Sequence, residues 1–258
     1  MSMSNDEGEI IRRFSTTWAE KYWEKHLARY NIADPKSGLD LFFGGAFART
    51  GGQQARYGTY ARNALQKCIE ECGSFNELMQ RQDAPDVVWE KFLAECDEAG
   101  IKPYVKLNKP IVTRLVEFAQ QAENNNLFSF FGQKIRESAP EAFCLLRNIK
   151  GIGDKIAAML LRDVVALLNL EKEVPVQHQF LLQPIDRWVR EFATYMWPNL
   201  ENPRTPNWLI ALRIVDKCIE YSCSPCRFNQ GAWMFGSSEV KRTKEIKKGL
   251  WIQKLLNE

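Results

Sequence analysis

The sequence predicts an all-α fold. Apolar residues recur at helical spacing along most of the chain, and runs of alternating Val, Ile and Thr long enough for strands are missing. The helical stretches are punctuated by Gly, Pro, Asn or Asp, the residues that start and stop helices. Residues 39–49 and 60–72 are the first two stretches, with Gly51, Gly52 and Gly58 between them. Residues 87–99, 109–123, 141–148 and 154–170 follow, then 185–197 and 208–221. Residues 240–256 close the set as a basic terminal helix carrying Lys241, Arg242, Lys244, Lys247 and Lys248. The 14 residues from Glu171 to Pro184 are the longest connector in the central region, and connectors of that length in a compact domain are often functional.

Composition removes several classes. With 258 residues, 45% hydrophobic and 26% charged, the chain can bury a real core and is neither disordered nor a fibrous repeat. Its longest apolar stretch, near residues 157–170, is interrupted by Arg162 and Asp163, so no segment is expected to span a bilayer. The N-terminal residues are acidic where a secretory signal would be basic and then apolar. Lys and Arg total 35 against 32 Asp and Glu, a net charge of +3 that is compatible with nucleic acid without arguing for it. Seven cysteines, an odd number with no dense framework, read as reduced thiols of an intracellular protein.

The most informative passage runs from Leu145 to Leu161. One helix ends near Asn148, Gly151 and Gly153 flank Ile152, and a second helix starts at Asp154, a plausible N-cap. Ile156, Met159, Leu160, Val164, Leu167 and Leu168 then fall on one face. A tight glycine turn that points free N–H groups and a positive helix end outward suits a phosphate, and it would grip a nucleic-acid backbone regardless of base. An ordinary helical hairpin with a glycine turn is the simpler alternative.

This passage resembles the helix-hairpin-helix motif, and residues 38–230 resemble the helix-hairpin-helix DNA glycosylase superfamily. The family places a catalytic aspartate after a proline and an apolar residue, at a helix start downstream of the hairpin, and Pro184-Ile185-Asp186 is similar to that pattern. Residues 41–54, ending in Gln53 and Gln54, are similar to the early helix and the polar loop that probes the duplex. The resemblance implies two helical lobes, residues 38–171 and residues 1–37 with 172–258, and a DNA-binding cleft between them. It implies a base-excision repair enzyme that flips a damaged base from double-stranded DNA, cleaves the N-glycosidic bond and nicks by β-elimination. Such an enzyme needs no organic cofactor, although hairpin carbonyls could carry a monovalent cation. A monomer in the cytoplasm, near the nucleoid, or in the nucleus is expected.

Lys155 is similar in position to the nucleophilic lysine of bifunctional members. A neutral amine there can attack the sugar C1′, displace the base and leave a Schiff base. Its helix's positive end, the neighbouring Lys150 and partial burial all favour the neutral form. Asp186 would be the carboxylate that stabilises oxocarbenium character. Its separation from Lys155, 186 − 155 = 31 residues, exceeds that of the compact members of the family. The longer interval resembles the archaeal 8-oxoguanine glycosylase branch, the sole basis for naming 8-oxoguanine as substrate. A competing alignment through Val174-Pro175-Val176-Gln177 would put glutamine at the acid position. Asp186 is preferred because it alone is an acid and because residues 187–190 continue as a helix.

Other constellations carry less. Cys218, Cys223 and Cys226 sit where some relatives hold a four-cysteine iron–sulfur loop, but no fourth cysteine follows, so neither cluster nor metal is expected. Trp233, Phe235 and Gln230 are candidates for the pocket that stacks an extruded base, and Gln53 and Gln54 for the residues that fill the gap it leaves. Arg49, Arg56 and Arg62 surround the glycine loop without deciding anything. Gly151, Gly153 and Lys150 would hold the DNA backbone. A DNA-binding module without chemistry, or a glycosylase in which water attacks, are the alternatives.

Overall fold

The computed structural model describes residues 3–48, 54–240, 246 and 249–256. It is all-helical, with no strand among the described residues. The chain divides into two compact units. Unit one is Met1–Arg29 with Asn169–Glu258, and unit two is Tyr30–Leu168. The boundaries expected from sequence are 37/38 and 171/172.

Unit two is a helical bundle. It contains α3 (Pro35–Ala46), α4 (Gln54–Cys72), α5 (Phe75–Gln80), α6 (Ala84–Glu98), α7 (Val105–Gln121), α8 (Leu127–Arg147) and α9 (Asp154–Leu168). Asp34 caps α3, with Pro35 in the first turn, and Asn126 caps α8. Ser138 breaks α8 with an extended backbone, and its hydroxyl accepts from Glu141 N, so residues 141–148 mark only the second half of a longer element. Phe42 stacks on Phe131 and Phe47 on Phe92 in the core.

Helix α9 departs from the expected single apolar face. Ala157, Ala158, Leu161 and Val165 are buried along with Ile156, Leu160 and Val164, so the helix is enclosed on most sides. Arg162 and Asp163 are buried too. The guanidinium donates to Asp163 Oδ1 from Nε at 3.0 Å and Nη2 at 2.8 Å, which neutralises two charges that could not enter the core singly.

On α6, Glu95 is 7% exposed and pairs with Lys67 of α4 while accepting from Asn63 Nδ2 at 3.0 Å. Burial pushes its carboxyl up, but the bonds from Lys67 and Asn63 outweigh that and hold it below the ordinary value of 4.5. A depressed carboxyl gives stability that is full above the unfolded value and lost as pH falls through the folded one. Thermal melts should therefore drop more steeply between about pH 5 and pH 3 in the native chain than in Glu95→Gln. Parallel curves would mean that this pair adds no acid sensitivity.

Unit one joins both ends of the chain. Its N-terminal helical run reads α1 (Met3–Arg13), a π-turn (Phe14–Trp18), α2 (Ala19–Tyr22) and a second π-turn (Trp23–Leu27). It also holds α10 (Arg187–Met196), α11 (Asn207–Glu220), α12 (Pro225–Glu239) and α13 (Leu250–Leu256). Helix α12 lies so close to the first π-turn that a Cβ on Gly231 would stand 1.9 Å from the Phe14 carbonyl oxygen. Arg227 Nε donates to the Ser15 carbonyl at 2.8 Å, satisfying an acceptor of the widened turn.

The terminal helix expected over residues 240–256 is described only in part. Residues 241–245, 247 and 248, with all the basic side chains assigned to it, lie outside the described residues. Of the described part, Trp251 and Leu255 are buried while Gln253 and Lys254 are exposed. Trp251 is 3% exposed and packs on Phe14, Phe192, Tyr195 and Phe235.

Candidate nucleic-acid interface

The hairpin is built from alternating inward and outward residues. Ile149, Ile152 and Ile156 are buried and anchor it in unit two, while Lys150, Gly153 and Asp154 face solvent and Lys155 is half-buried. Ile152 N donates to Ile149 O at 2.9 Å, closing the turn. Gly151 has φ +106°, a conformation that L side chains rarely adopt. Gly153 O accepts from Ile156 N and Ala157 N, both at 3.0 Å, so the hydrogen bonding of α9 begins there and the N–H groups of its first residues have no preceding turn to donate to.

Asp154 is therefore the first helical residue and not the N-cap expected from sequence. Its carboxylate pairs with Arg147 at the end of α8. The pair ties the two helices of the hairpin across the turn and offsets a negative charge that would oppose an anion at this helix end.

The two glycines differ in kind. Gly151 is fixed by its backbone angle. A Cβ on Gly153 would meet nothing within 4 Å, so no neighbouring atom excludes a side chain there.

Asp186 lies in unit one, whereas Lys155 lies in unit two. Asp186 is the N-cap of α10, half-buried, with Oδ1 accepting from Trp188 N and Val189 N, each at 2.9 Å. These bonds fix the carboxyl in one orientation. Gln177 is exposed within a 3₁₀ turn, Val176–Leu182, and starts no α-helix. Next to Asp186, the Arg187 guanidinium lies 4.4 Å from the Trp188 ring centroid.

The connector that leads to Asp186 is ordered by α12. Glu171 accepts from Cys226 N at 2.8 Å through Oε1 and from the Ser224 hydroxyl through Oε2, so a carboxylate sits at the positive end of that helix. Farther on, Asn229 Nδ2 donates to Pro184 O at 3.3 Å. Gln179 Nε2 binds the carbonyls of Glu171 and Val174 between these anchors. None of these contacts was read from sequence. The signal available was Ser224-Pro225, an N-cap followed by proline at the first helical position.

The proposed base-pocket residues separate. Phe235 is fully buried among Phe14, Trp18, Phe192 and Trp251, which makes it a core residue with no face open to a base. Gln230 is 2% exposed in the same helix. Trp233 is half-buried, with Tyr22 and His26 packed edge-to-face at 5.8 and 5.4 Å between ring centroids. Neither histidine was given a role from sequence. Gln53 and Arg49 lie outside the described residues. Gln54 begins α4, and its side chain is likewise outside them.

Cys218 and Cys226 are buried, Cys223 is half-buried, and all three are free thiols. Burial pushes the Cys218 thiol well above its ordinary value, which makes it inert as a nucleophile. Among the described residues, no group of three or more His, Cys, Asp or Glu is placed to hold a metal ion, and no helix is long and apolar enough to cross a membrane. No protein-family model, curated protein or solved structure matches this chain.

Proposed function

We propose that this chain is a DNA N-glycosylase with lyase activity, acting on duplex DNA that carries a damaged base. The observation that carries the reading is the hairpin at the start of α9. There an outward glycine with open space in place of a side chain stands between Lys150 and Lys155, just before a helix that is largely buried. Absence of a side chain at Gly153 leaves a phosphodiester free to approach N–H groups at the positive helix end. The Arg147–Asp154 pair keeps that end receptive to an anion.

In this reading Lys155 is the nucleophile and Asp186 its acid partner. The Lys155 amine donates its electron pair to C1′, the C1′–N bond breaks, and the base leaves with a proton. The amine adduct opens the sugar to a Schiff base; loss of a C2′ proton then breaks the C3′–O bond and nicks the strand. Asp186, oriented by its cap bonds, stabilises the positive charge that develops at the sugar. Trp233 offers a ring for the extruded base, and 8-oxoguanine is the favoured lesion. The protein acts as a monomer, in the compartment that holds DNA, without an organic cofactor or iron–sulfur cluster.

A panel of duplexes, each with one lesion, scored for base release and for nicking, tests this. Release with nicking from the 8-oxoguanine duplex is expected. Release without nicking would identify a glycosylase that uses water, and binding without release a module that lacks chemistry. Gly153→Val should cost about 1 kcal/mol of stability, because the Gly153 carbonyl opens α9 and valine caps a helix less well than glycine. It should weaken binding to all sequences alike. Altered base preference with affinity intact would remove the phosphate assignment.

A further inference from the structure

We infer that Arg62, held in a glycine notch on unit two, is a second phosphodiester contact on the unit that carries Lys155; this rests on the reading of the chain as a DNA-binding enzyme. The notch comes from two adjacent glycines of α3, each filled by a different helix. A Cβ on Gly58 of α4 would stand 3.1 Å from the Phe43 carbonyl oxygen and 3.2 Å from Gly44 Cα, so α4 crosses α3 nearly backbone to backbone. One turn along α4, on the same stripe, is Arg62. Its guanidinium occupies the space of the missing Gly44 side chain: a Cβ there would lie 2.6 Å from Nη1 and 3.8 Å from Cζ. The Tyr30 hydroxyl comes within 3.7 Å of the same point.

Gly45, the next residue, receives α9. A Cβ on it would meet Leu160 Cδ2 at 2.5 Å and Met159 Cε at 3.5 Å, and Met159 stands one helical turn after Lys155. The Gly44–Gly45 step thus sets Arg62 and the Lys155 helix against the same short piece of α3.

Arg62 is half-buried, and its one hydrogen bond among the described residues is a long one, 3.4 Å from Nη2 to the exposed Thr59 hydroxyl. Among the described residues no carboxylate pairs with it. Many of the molecule's other arginines and lysines are neutralised, as Arg81 is by Asp83 and Lys91 by Glu71. A planar cation seated in a fitted notch, close to solvent and without a counter-charge among the described residues, matches a phosphate oxygen pair. The backbone of a nucleic acid supplies that group at regular spacing.

The test is the salt dependence of duplex binding by the full chain. Each phosphate neutralised contributes about −0.9 to the slope of log affinity against log salt. Arg62→Ala should make the slope shallower by about 0.9, shrinking the affinity ratio between 50 and 200 mM salt about three- to fourfold. Gly44→Ala, which keeps the arginine but fills its seat, should give a similar loss. Arg62→Lys should keep the native slope while binding less tightly, because the charge remains and the fork is lost. If native protein binds with a steep slope and Arg62→Ala leaves it unchanged, Arg62 touches no phosphate and the hairpin reading stands. If native protein shows no salt-dependent binding, both fall. Should Gly44→Ala fail to fold, Arg62→Ala and Arg62→Lys decide alone.

Discussion

Lys155→Gln is expected to abolish borohydride trapping on lesion DNA while duplex affinity stays close to native. Borohydride reduces the Schiff base between a lysine and the opened sugar to a stable amine, so the covalent adduct reports the nucleophile itself. The substitution removes the amine and leaves Gly151, Gly153 and the turn bonds Ile152 N to Ile149 O and Ile156 N to Gly153 O in place. Backbone binding should therefore survive. Asp186→Asn is the matching test. Asparagine caps a helix about as well as aspartate, so α10 keeps its start and folding is preserved. Only the charge is lost, and a charge that matters in the transition state lowers turnover far more than lesion affinity. Turnover should fall by several orders of magnitude, with Gln177→Ala mild. Trapping that persists in Lys155→Gln would move the nucleophile elsewhere. A neutral Asp186→Asn beside an inactive Gln177→Ala would transfer the acid position to the earlier alignment.

Gly231→Ala should be the most damaging small substitution for stability. The added carbon would meet the Phe14 carbonyl oxygen at 1.9 Å, its carbon at 2.7 Å and Ala19 N at 2.9 Å, all backbone atoms that cannot swing aside. Relief requires α12 to move off the π-turn, which would strip the Arg227–Ser15 bond and loosen the rings around Phe14. Overpacking of flexible side chains costs about 1–3 kcal/mol, and this backbone clash should reach or exceed the upper end. For a protein of this size that corresponds to a fall in Tm of roughly 6–12 °C. Gly153→Ala, with open space around it, is the control. Equal melting temperatures for the two variants would mean that the helices are not in such close contact.

The sequence disclosed most of unit two and little of how unit one is held together. Helices α4, α6, α7 and α9 follow apolar spacing close to 3.6 residues, and the Gly151–Gly153 turn is explicit in the residues themselves. The N-terminal run escaped because its buried residues slip in register. Trp18 and Tyr22 are four apart, but Tyr22 and Leu27 are five apart, the spacing a π-turn produces. Helix α12 escaped for another reason. Its Cys226, Asn229, Gln230, Gly231 and Gly236 interrupt the apolar spacing of a helix, yet all are buried, since small residues permit close approach and Asn229 donates to Pro184 O. The Glu171 carboxylate at Ser224 and Cys226 joins residues more than 50 positions apart, which no local pattern encodes.

The division of the chain has a consequence for its birth on the ribosome. Unit two is one unbroken segment, so all its sequence exists once Leu168 has been made. Unit one is split around it, and the Phe14 ring stacks on Trp251, more than two hundred residues later in the chain. Because domains made early fold early, the N-terminal helix must wait, with its aromatic side bare, through the synthesis of more than two hundred residues. That interval is when nascent-chain chaperones would be engaged, and a stalled or prematurely terminated message would release a chain whose exposed rings invite aggregation.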